Sequence, residues 1–252
     1  APMASMGWAS VATVSLDDAD TAALATKING WFMALGDWPR FTAPALGVEH
    51  DAAAGDLTLL VELGVLAGLI EGLEPQPQVF AFVKRLRNST FFATLGHGEG
   101  LEDCLDAMEK TGAEPWARNL FERLVHARFM ARRVGMKIDL MMQLKNAESG
   151  SAIIDLIREH LTGNHWVEAP FWIVGELVRL GVLEGEHAES VCAVPTARLR
   201  QNAARIGLIP SAEIHDAKGL LALSQTVSKL FGSAGEYGAS LAQLDRALGL
   251  WL

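Results

Sequence analysis

Covalent cross-links and membrane anchors are what this chain has least of. Among 252 residues there are two cysteines, Cys104 and Cys192, and they form no Cys-x-x-Cys pair. That spacing excludes a disulfide framework and a cysteine-rich zinc site. Each thiol sits in an apolar, helix-like context and is expected to behave as a small buried hydrophobe. Such cysteine usage suits a reducing, intracellular compartment. The stretch Ala1–Ser15 has no basic n-region and is not itself a signal peptide; import into an organelle stays open. The most apolar run, Leu57–Leu73, is short for a membrane span and contains Glu62 and Glu71. A buried core helix is therefore expected there, and no membrane partner. Strand signals are also scarce: the one Asn-Gly lies within Ile28-Asn29-Gly30, inside a helical pattern. The sequence leaves room for a small sheet at most. No fixed-period repeat and no low-complexity tract is present.

Apolar residues make up 50% of the chain, enough for one large core or two small ones. The net charge of -9 is unevenly spread. Residues 1–76 carry ten acids against Lys27 and Arg40, whereas residues 77–252 hold 20 acids against 19 bases. Acidity argues against nucleic-acid binding, because phosphate affinity comes from Lys and Arg. The near-neutral remainder weakens that objection. The change in charge coincides with Glu74-Pro75-Gln76-Pro77, which reads as a linker between an acidic N-terminal helical part, 1–76, and a helical domain, 77–252. Apolar spacing predicts helices over 22–35, 57–73, 79–87, 101–110, 116–133, 137–146, 152–161, 168–180, 196–206, 214–231 and 240–250. The expected fold is an all-α, multi-helix globule.

Three features can carry chemistry. Between Trp116 and Lys137 lie Arg118, Arg123, Arg128, Arg132, Arg133 and Lys137, against Glu122 alone. Arg128 and Arg132 share a face, as do Arg133 and Lys137. The stripe either grips phosphates or is a solvated face pairing with the acidic N-terminal third. Glu184 and His187 have the Glu-x-x-His spacing of carboxylate-bridged metal bundles. No second such motif stands in register, and Gly181 and Gly185 suggest a loop, so no metal and no cofactor is expected. Asn164-His165-Trp166 joins two helices. His165 or Trp166 can stack on a base; alternatively, Trp166 and Trp172 fill core space while His165 decorates a turn. The string Gly96-His97-Gly98-Glu99-Gly100 follows no strand and lacks the Lys-Ser/Thr of a P-loop.

The C-terminal segments VPTARLRQNAARIGLIP and SLAQLDRALGLWL, with FVKRLRNSTFF (Phe82–Phe92) upstream, carry a family resemblance. In order and spacing they resemble the helix-hairpin-helix DNA glycosylase superfamily, most closely its archaeal 8-oxoguanine glycosylase-like branch. The matching pieces are Val194-Pro195, Gly207-Leu208-Ile209, the helix from Ala217 to Phe231, Leu244-Asp245 and Leu250-Trp251. They span about half the chain, and the basic helix would be an insertion. The resemblance implies that the helices over 152–161 and 168–180, joined by Thr162–Val167, occupy the hairpin position. It also implies a lysine nucleophile at Val167 or Glu168 and an aspartate at Pro195 or Thr196. Neither residue type is there, and a glutamate forms no Schiff base. Of the glycine-rich amides that the hairpin offers to a phosphate, only Gly163 remains.

These residues lead to three competing expectations. The first is a non-catalytic binding or scaffold protein on a degenerate glycosylase-like fold, with nucleic acid or a protein complex as partner. The second is a DNA-repair N-glycosylase or nucleoside N-glycosidase, with Glu168 as base toward water and Trp166 or Trp172 stacking on the substrate. The third is an RNA- or DNA-binding subunit using Arg118–Lys137. Candidate nucleic-acid contacts are Arg128, Arg132, Arg133, His165, Trp166 and Arg198.

Overall fold

Every regular element among the described residues is helical, and none of those residues forms a strand. This is the all-α class read from the sequence. The structure is a computed structural model, and it describes residues 41–49, 55–73, 75–88, 139–163, 166–205 and 209–235. The helices expected over 22–35, 101–110, 116–133 and 240–250 lie outside the described residues, as does the loop Gly96–Gly100. Two compact units are distinguished: Gly36–Val194, and Ala1–Leu35 with Pro195–Leu252.

The core of the unit Gly36–Val194 is built on α1, Asp56–Ile70. Its residues are apolar on nearly every side, and ten of its 15 are buried, as a helix apolar all round must be. No helix among the described residues is long and apolar enough to cross a membrane. The periodicity carries α1 on to Leu73, yet the helix stops at Ile70: Glu71 turns to an extended conformation (ψ 128°) and Gly72 takes φ 71°. Glu71 caps the end, its amide still donating to Ala67 O, and Gly72 supplies the positive φ that follows.

A proline sets the start of α2, Pro77–Arg87, where a missing N–H costs nothing. Val79, Val83 and Leu86 face inward, and Arg87 Nη2 reaches Glu62 Oε1 of α1 at 3.2 Å. The sequence over 137–146 yields a shorter α3, Leu140–Lys145. The helix expected over 152–161 is α4, Gly150–Ile157, which starts two residues earlier because Ser149 caps it by accepting from the Ala152 amide at 3.1 Å. Gly150 is buried at this start. A Cβ there would lie 2.5 Å from Ser190 Oγ and 2.7 Å from Val191 Cγ1, so only glycine fits. The helix widens into a π turn over Arg158–Thr162, closed by the Gly163 amide donating to Arg158 O at 2.8 Å.

Next comes α5, Ala169–Arg179, with Pro170 in its first turn. Phe171, Trp172, Ile173, Val174, Glu176 and Leu177 are all buried. Among the described helices not adjacent in sequence, α1 and α5 pack most extensively. The unit closes with α6, the single turn Glu186–Glu189.

The described part of the other unit is two helices and their connection. Thr196 Oγ1 accepts from the Leu199 amide at 3.1 Å and thereby starts α7, Ala197–Arg205. Asp216 Oδ1 accepts from the Gly219 amide at 2.8 Å and starts α8, Ala217–Gly235, three residues later than the periodicity suggests. Along α8, Leu220, Leu223 and Val227 are buried at helical spacing. Arg200 Nη1 donates to Ile214 O at 2.6 Å and ties the connection back to α7.

Candidate functional site

The end of α1 and the start of α5 meet in a joint made by two glutamates. A helix start leaves amide groups without intrahelical partners. At α5 the residue in the capping position, Glu168, does not cap with its own side chain. Glu71, 97 residues away in sequence, does so instead: its Oε1 accepts from the amide of Glu168, and from that of Ala169 at 3.2 Å. Glu168 returns the arrangement, its Oε2 accepting from the Gly72 amide at 3.3 Å. Each carboxyl group thus holds backbone next to the other.

This placement raises the proton affinity of one of them. Burial pushes the Glu71 carboxyl up to about 7, with the charge of Glu168 adding to the rise and the amide hydrogen bonds opposing it. A carboxyl that titrates near neutrality beside a second carboxylate can give and take a proton, which is the elementary requirement of general acid–base chemistry. Here both groups are also structural, since each accepts backbone amides.

The opposite end of α5 holds another buried carboxylate. Glu176 is fully buried; its Oε2 accepts from the Ala43 amide at 2.8 Å, and its Oε1 pairs with Arg179. One turn back, Trp172 Nε1 donates to Phe41 O at 2.9 Å. Positions 172 and 176 share a helical face, so they pin the segment from Phe41 to Val48, which contains the short 3-10 turn Pro44–Leu46.

The residues picked out from the sequence are distributed as follows. Glu168 stands at the joint. Trp166 is buried, with 7% of its surface exposed, and Trp172 is buried with its N–H committed to Phe41. Arg198 lies on α7, in the other unit. His165, Arg128, Arg132, Arg133 and the whole basic segment from Arg118 to Lys137 lie outside the described residues. Glu184 precedes α6 and His187 is within it, separated by Gly185 at φ 99°, so the two do not share a regular helix. Among the described residues no group of three or more His, Cys, Asp or Glu side chains is placed to hold a metal ion. Cys192 is a buried thiol whose Sγ donates to Ala188 O at 3.2 Å, while Cys104 lies outside the described residues.

Sequence reasoning missed Glu71 and Glu176. The signal was present: each is an acid within or at the end of an otherwise apolar run, and acids are rarely buried without a partner. Comparisons with family models, with curated proteins and with solved structures return no match.

Proposed function

We propose that this chain is a non-catalytic binding or scaffold protein, built on a degenerate helix-hairpin-helix glycosylase-like framework. The observation that carries the reading is the engagement of Glu168. The resemblance puts the family's nucleophile at or beside this residue. Here its amide donates to Glu71 and its carboxylate accepts from Gly72, so the side chain is spent on the fold. The first amides of α5 are likewise occupied by the protein's own Glu71 carboxyl, where an open helix start would favour an external anion. The net charge of -9 favours a protein partner over bare nucleic acid.

The test is incubation of the full chain with duplexes containing 8-oxoguanine or uracil, scored for base release and strand cleavage. No product is expected. Activity that disappears in Glu168→Gln would overturn the proposal.

One observation favours a second reading, an N-glycosidase. Glu71, titrating near neutrality beside Glu168, is the kind of acid and base pair such hydrolysis uses. That reading requires nucleoside or base-excision turnover with a pH–rate profile that loses its limb near 7 in Glu71→Gln. A third reading, nucleic-acid binding through Arg118–Lys137, requires affinity that falls steeply with salt and a loss on charge reversal of Arg128 and Arg132; flat salt dependence would remove it.

A further inference from the structure

We draw no further inference here: the strongest candidate, the Arg158 guanidinium in the π turn after α4, whose buried Nη2 has no hydrogen-bond partner, carries nothing, because that atom is closed to solvent, the guanidinium already lies over the Phe171 ring and 4.0 Å from Asp155 Oδ1, and nothing in the structure shows what would reach it.

Discussion

At the C-terminal end of α5 a fully buried carboxylate, Glu176, faces the Arg179 guanidinium and the Ala43 amide. At the N-terminal end a buried carboxyl, Glu71, faces two amides and a second carboxylate. Both acids perform the same structural task, holding a distant segment of chain against one helix. They differ in what stands opposite. A guanidinium offsets the loss of hydration of a buried carboxyl group. A carboxylate adds to that loss, and the proton affinity of the buried group rises. One helix thereby carries a joint between a carboxylate and a guanidinium at one end and a joint between two carboxyl groups at the other.

The largest expected effect comes from breaking the balanced end. Glu176→Ala strands Arg179 and leaves the Ala43 amide without its acceptor, so the unit should lose about 3–5 kcal/mol, read from the midpoint of urea unfolding. A loss under about 1 kcal/mol would mean that the pair adds nothing to the core. Next in size is the pH dependence of the other end. The folded chain holds the Glu71 proton more tightly than the unfolded one, at about 7 against 4.5. Stability from this group is therefore fully present below pH 4.5 and lost as pH rises through 7. The decline amounts to at most about 3 kcal/mol, and Glu71→Gln should abolish it. Stability that rises across this interval, at equal rates in both chains, would refute it.

Trp172→Phe keeps an aromatic ring but removes the indole N–H from Phe41 O and leaves a small cavity in the buried site. A cost of about 1–2 kcal/mol is expected, together with earlier proteolysis of the Phe41–Val48 segment. Ser149→Ala is the reference. It removes the cap from α4, away from either joint, at about 1 kcal/mol. Its effect should add to that of Glu176→Ala at any pH.

The periodicity of apolar residues was enough to place most of the described helices, because burying one face every 3.6 residues is a local requirement. It located α1, α2, α4, α5, α7 and α8 to within a few residues. Three of the shifted ends coincide with contacts that spacing alone does not encode. Ser149 starts α4 early, Asp216 starts α8 late, and Glu71, at the end of α1, accepts amides at the start of α5. Glu168 was singled out through a family position, and its observed engagement is with backbone. No pattern near residue 168 announces residue 71. The same holds for Glu176 and Ala43, 133 residues apart. The all-helical class, the core character of the 57–73 run and the buried thiol at Cys192 are matters of composition and spacing.

Taken by itself, the amino-acid order decided that this protein is helical and which faces turn inward, since those follow from side-chain periodicity along each segment. Tertiary structure decided which acids would share a joint and which would meet a base. Proton affinity and charge balance depend on neighbours brought together from distant parts of the chain, and such neighbours exist only once the helices have packed.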